Sequence, residues 1–203
     1  AVALAAMALA SGVALVGGIN IPDKAVVIAH RGAAGAAPEN TLAAVRRAVS
    51  DGAHWVEIDV QESRDGHIVV VHDSDFMKLA ANPLKVWNGD LEEIRAIDVG
   101  GWFDAKYAGE RVPTLEEVLQ VVHGKSGLVI ELKYYGHDQR LEERVIDAVE
   151  AAGMSESVMI MSLHAPGIQV AQDMRPDWQI GLLAATAVGD LTRLDVDFLA
   201  VNQ

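Results

Sequence analysis

The chain has 203 residues, 51% hydrophobic and 22% charged, which is enough apolar side chain for one substantial core and argues against general disorder. Sixteen Lys and Arg against 29 Asp and Glu leave a formal charge of -13, which excludes a broad nucleic-acid surface but leaves room for a small anion held by a local cation. The lack of cysteine removes disulfides, thiolate metal ligands and thiol nucleophiles together.

Residues 1–19 carry no charge, and a stretch of that length reaches the lower range for crossing a bilayer. Residues 1–21 are therefore expected to be a hydrophobic membrane-associated segment or the end of a membrane domain, ahead of a separate domain over 22–203. A cleaved signal remnant and an ordinary packing helix are the alternatives. The expected placement is membrane-associated, through residues 1–19, with the following domain extracytoplasmic.

From Ala25 onward, β-forming runs predict strands at 25–30, 54–60, 67–72, 127–133, 158–163, 179–184 and 197–201. Helices are predicted at 39–51, 114–123 and 138–152, with a weaker signal at 166–173. Gly52 is a stop for the first, and Thr114 with Glu117 reads as a capping box that opens the second. Strands separated by amphipathic helices imply parallel pairing through crossovers. Residues 74–111 contain the breaks Asn82-Pro83, Asn88-Gly89 and Gly100-Gly101, yet also Trp87, Trp102, Phe103 and Tyr107, so a packed insertion or lid is expected. The fold class expected is α/β, a TIM (β/α)8 barrel lacking its last strand and helix in this chain, with an insertion after strand 3.

Several of these strands end in ionisable groups that are costly to bury without partners. Glu57 with Asp59, and Glu131 with Lys133, share strand faces by period two. Glu57, Asp59 and Glu131 are an oxygen-ligand set suited to Mg²⁺ or Ca²⁺; the other reading is salt-bridge partners. His30 and His72, at comparable strand ends, suit an acid and a base flanking one reacting group, against structural roles. Arg31 and Lys133 are either phosphate contacts or partners of the carboxylates. Glu39 either caps the helix that follows or joins the site, with Asn40 beside it. Asp73 and Asp75 read more simply as turn residues.

The motifs His30-Arg31-Gly32, Pro38-Glu39-Asn40-Thr41, Glu57-Ile58-Asp59-Val60, Val71-His72-Asp73, Pro113-Thr114-Leu115-Glu116-Glu117 and Glu131-Leu132-Lys133 occur in that order. In this combination the sequence resembles the glycerophosphodiester phosphodiesterase family. The resemblance implies a TIM-barrel enzyme that uses a divalent metal, Mg²⁺ or Ca²⁺, to hydrolyse small-molecule glycerophosphodiesters to sn-glycerol 3-phosphate and an alcohol. Carried onto this chain, it makes His30 and His72 the acid–base pair and Glu57, Asp59 and Glu131 the metal ligands. It makes Arg31 and Lys133 phosphate contacts, and puts Glu39 beside the metal or the glycerol hydroxyls. The chain departs from the family pattern at Ser74-Asp75-Phe76-Met77, where a threonine- and leucine-rich stretch is usual, and in the eighth strand. Ser162 and His164 read as wall residues. The rival readings are a lysophospholipase D or sphingomyelin-type phosphodiesterase, and a non-catalytic phosphate-binding or membrane-scaffold domain.

Overall fold

The computed structural model describes residues 26–184 and 195–201. Nine strands are described: β1 (Ile28–Ala29), β2 (Trp55–Glu62), β3 (Ile68–Val70), β4 (Asp75–Phe76), β5 (Asn82–Lys85), β6 (Gly127–Leu132), β7 (Val158–Ser162), β8 (Gln179–Ala184) and β9 (Phe198–Val201). The helices are α1 (Leu42–Ser50), α2 (Met77–Ala80), α3 (Leu91–Arg95), α4 (Leu115–Val122), α5 (Leu141–Ala151) and α6 (Ala165–Met174). Strands β1-β2-β6-β7-β8-β9 pair in that order, all parallel, as an open, curled half-barrel.

The fold is thus the incomplete α/β barrel expected, with one difference. The predicted strand at 67–72 does not take a place in the parallel order. It forms β3, antiparallel to β2, with Val60 opposite Val70 and Glu62 opposite Ile68. The reason is local: Ser63 to His67 make a tight turn, Gly66 adopting φ +85 and the Ser63 N–H reaching the His67 carbonyl at 2.9 Å. A connection so short can only reverse the chain, since parallel pairing needs a crossover of a dozen residues or more.

One core fills the space between the sheet and its helices. Val56, Ile58 and Val60 of β2, with Ile130 of β6, are fully buried there against Leu115 and Leu119 of α4 and Val145 of α5. A smaller core supports the insertion. Alternation along the chain splits the work, because Ile68 and Val70 join the first core while Val69 and Val71 pack with Phe76, Leu79, Val86 and Ile94 in the second.

The capping box at Thr114 forms as expected, the Glu117 N–H donating to Thr114 Oγ1 at 3.4 Å and the Thr114 N–H to Glu117 Oε2 at 2.9 Å. The first helix starts later than 39. Asn40 holds a left-handed backbone, φ +56, and Thr41 is the N-cap, its Oγ1 accepting from the Ala44 N–H at 3.2 Å. Glu39 is thereby excluded from the helix it seemed to cap.

The expected membrane-associated localisation is corrected. No helix among the described residues is long and apolar enough to cross a membrane, and the stretch 1–19 on which the expectation rested lies outside those residues.

Candidate active site

The opposite, concave face of the sheet carries the charges. Along β2, Glu57, Asp59 and Gln61 alternate with the core residues Val56, Ile58 and Val60, so period two turns every polar side chain of this run away from the helices. Strand β1 ends at Ala29 opposite Val56, which leaves His30 to emerge beside Glu57. Asp59 and Glu131 are direct register partners on neighbouring parallel strands.

Glu57, Asp59 and Glu131 are 3%, 0% and 6% exposed, and each offers an oxygen within 4.8 Å of the others. Burial, then the Asp59 charge, push the Glu57 carboxyl up to about 8, against the pull of the Arg31 backbone N–H. Burial also raises Glu131, although Lys133 opposes the shift. Glu57 Oε1 and Asp59 Oδ1 are buried without a hydrogen-bond donor among the described residues. Hard oxygen donors, mutual repulsion and two orphaned acceptors are the properties of a set that can coordinate a divalent cation.

Two cations flank the carboxylates. Lys133 donates to Glu131 Oε1 at 2.8 Å and lies 3.5 Å from Asp59 Oδ1. Burial works against its charge, but the Glu131 bond and the Asp59 charge outweigh this and raise its affinity for the proton. Arg31 enters from a strained turn with φ +51, its backbone N–H donating to Glu57 Oε2 at 2.6 Å. Gly32 follows at φ +75, and a Cβ there would lie 2.8 Å from the Ala44 carbonyl carbon, so the turn is pressed against α1. The turn is closed by the Asn40 N–H on the Arg31 carbonyl at 3.0 Å. Asn40 also donates through Nδ2 to Asp59 Oδ2 at 2.8 Å and accepts the Asp59 N–H at 3.2 Å.

Both histidines border the same cavity of about 350 Å³. His30 Nε2 lies 3.9 Å from Glu57 Oε2, and burial followed by the Arg31 charge lowers its pKa. His72 Nδ1 is 2.7 Å from Asp73 Oδ1, and its Nε2 makes no hydrogen bond to another described residue. The backbone at His72 is fixed by its carbonyl, which accepts from Tyr135 Oη at 2.9 Å and Gln61 Nε2 at 3.2 Å.

Arg31, Glu57, Glu131 and Lys133 line this cavity with the two histidines. Asp59 lies beneath it, wholly buried. Glu39 stands behind Arg31, its Oε1 accepting from Arg31 Nη1 at 2.9 Å and its Oε2 from Lys78 Nζ at 2.7 Å. Sequence reasoning gave three residues less than their part: Asp73 reads there as a turn residue, Asn40 only as a neighbour of Glu39 that could join the site, and Lys78 not at all. Asp73 is a partner of His72 and not merely a turn residue, a role signalled by adjacency in the His-Asp pair. Asn40 holds the Asp59 carboxylate, signalled by its place in Pro-Glu-Asn-Thr. Lys78 has no local signal at all.

A parallel β/α half-barrel that gathers buried and ionisable side chains at one end of its strands is the architecture of the barrel enzymes. The sequence profile of the glycerophosphoryl diester phosphodiesterase family matches residues 30–199, and the chain belongs to that family and is an enzyme of that phosphodiesterase type. A glycerophosphodiester phosphodiesterase of Caldanaerobacter subterraneus subsp. tengcongensis is 41% identical over 166 residues, 79% of this chain and 67% of the relative. Another from Bacillus subtilis is 32% identical over 142 residues, covering 66% of this chain and 48% of the relative. Among solved structures, a glycerophosphodiester phosphodiesterase from Agrobacterium tumefaciens is similar with TM-score 0.72 and 33% identity, over 79% of this chain and 67% of that one. A phosphodiesterase of Oleispira antarctica in complex with the product sn-glycerol-3-phosphate is similar with TM-score 0.76 and 31% identity, over 87% and 74%.

Proposed function

We propose that this cavity hydrolyses glycerophosphodiesters to sn-glycerol 3-phosphate and an alcohol, with Mg²⁺ or Ca²⁺ held by Glu57, Asp59 and Glu131. The observation that carries the reading is the convergence, at one cavity, of two histidines with a buried triad of carboxylates, two of whose oxygens, Glu57 Oε1 and Asp59 Oδ1, have no hydrogen-bond donor among the described residues. The product complex of the Oleispira relative supports the same reaction class.

The cation, when bound, would offset charge that builds on the nonbridging phosphate oxygens. Arg31 and Lys133 orient the phosphate on the cavity floor and add to that stabilisation. His30, its proton affinity lowered by desolvation and by the Arg31 charge, accepts the proton of the glycerol 2-hydroxyl as that oxygen attacks phosphorus. The bond from phosphorus to the departing alcohol breaks, and His72 delivers a proton to the alcohol from Nε2, its imidazolium steadied by Asp73 at Nδ1. In the second half water adds to the cyclic phosphate, the bond to the 2-oxygen breaks, and the two histidines exchange roles.

Replacing the glycerol 2-hydroxyl with hydrogen tests the route. Cleavage is expected to be lost while the analogue still competes for the site. Unchanged cleavage would rule out that hydroxyl as the obligatory nucleophile.

A further inference from the structure

The insertion reaches the Arg31 side of the cavity through a lysine, Lys78. Leu79 of helix α2 and Phe76 just before it are buried in the insertion core, while Lys78 between them is half-exposed. Its ammonium lies 6.0 Å from the Trp102 ring centroid, and it donates to Glu39 Oε2. Glu39 Oε1 in turn accepts from Arg31 Nη1, and Arg31 Nε stands 3.4 Å from Asp59 Oδ2, too far for a good hydrogen bond. The Arg31 Nε–H is buried without a hydrogen-bond acceptor among the described residues and faces Asp59 only as an ion pair, so Glu39 gives the guanidinium its side-chain hydrogen bond there and helps to set which way it faces. A second tie runs in parallel: Tyr107, also of the insertion, donates from Oη to the Ala36 carbonyl at 3.1 Å, on the turn that Arg31 begins.

We propose that Lys78 is a positioning residue, through which the insertion holds Glu39 and thereby aims the Arg31 guanidinium at the substrate phosphate. The inference rests on the reading of Arg31 as a phosphate contact. The Lys78 side chain is 47% exposed and Glu39 only 12%, so Lys78 can be replaced without opening a core, while the partner it orients stays enclosed. The phosphodiester is already anionic in the ground state, so most of the effect of turning Arg31 away falls on KM, and the smaller share of charge that builds in the transition state moves kcat little.

The test measures kcat, KM and inhibition by inorganic phosphate for Lys78→Met, Lys78→Arg and Arg31→Met, at saturating divalent cation, with thermal midpoints alongside. Lys78→Met is expected to raise KM and the phosphate inhibition constant by about three- to fivefold, the range of a partly exposed ion pair, with kcat within about twofold. Lys78→Arg restores both, and the increase persists in about 0.5 M NaCl, where a merely long-range attraction is screened. If Arg31→Met raises both constants but Lys78→Met moves neither, or moves only the thermal midpoint, the relay is overturned and the phosphate reading stands. Disappearance of the Lys78→Met effect at high salt overturns it too, since Lys78 then acts only as a distant charge. If Arg31→Met itself leaves both constants unchanged, the phosphate reading fails and takes the relay with it.

Discussion

The two faces of the parallel sheet are built from alternate residues of the same strands and obey opposite rules. On the helix side, Val56, Ile58, Val60 and Ile130 are buried among apolar neighbours, and each lowers the free energy of the fold. On the concave side, Glu57, Asp59 and Glu131 are buried as deeply beside like charges, which costs stability. One residue of register separates a position that holds the molecule together from one that opposes its folding. Charge in such a place is explained by what it can bind.

The largest expected effect is on the concave side. His72→Ala or His30→Ala should lower kcat/KM by about 10²- to 10⁴-fold while the thermal midpoint stays near the wild-type value; steady-state kinetics with calorimetry would show it. Retained turnover in both variants would sink the proposed chemistry. Across the sheet, Ile130→Ala should do the reverse, lowering stability by about 2–5 kcal/mol in urea titration with little change in turnover per folded molecule at low temperature. A drop in turnover comparable to that of the histidine variants would show that the two faces are not separable.

Glu57→Gln sharpens the comparison. Without divalent cation this variant should be more stable than wild type at pH 8, and with cation its advantage should vanish while activity falls. The pH dependence follows from the sign of the shift. Glu57 ionises near 4.5 when unfolded and only at about 8 in the folded, cation-free protein, so the folded state binds the extra proton. Stability of the chelated protein should therefore fall as pH rises from about 4.5 to about 8, and added Mg²⁺ or Ca²⁺ should raise the midpoint most at the upper end. A chelated protein whose stability is flat over that window would contradict the burial of this charge. The smallest effect expected is that of Tyr135→Phe, which removes the bond to the His72 carbonyl; about 0.5–1.5 kcal/mol of stability and a modest loss of kcat are anticipated.

Much of the sheet was legible because its signals are local. Period two alone puts Glu57 with Asp59, and the Thr114 capping box needs only four consecutive residues. The antiparallel turn of β3 was not read because Ile68 to Val71 are as apolar as any parallel strand, and the decisive information lies in the brevity of Ser63 to His67. The departure of Glu39 from the first helix depends on left-handed backbone at Arg31 and Asn40, a conformation neither side chain announces. Lys78 and Glu39 meet across 39 positions, through an insertion whose packing no periodicity describes.

Strand β2 pairs with β1, β3 and β6, and the order in which those pairings form has a kinetic consequence. The hairpin with β3 closes a short loop and is accessible on the microsecond scale. Pairing with β6 must wait for a far longer closure, and it is this step that brings Asp59 level with Glu131. The register-locking event is thus also the one in which like charges are forced together. A divalent cation present during refolding should lower that barrier, making the ion proposed for the finished site an assistant in its assembly.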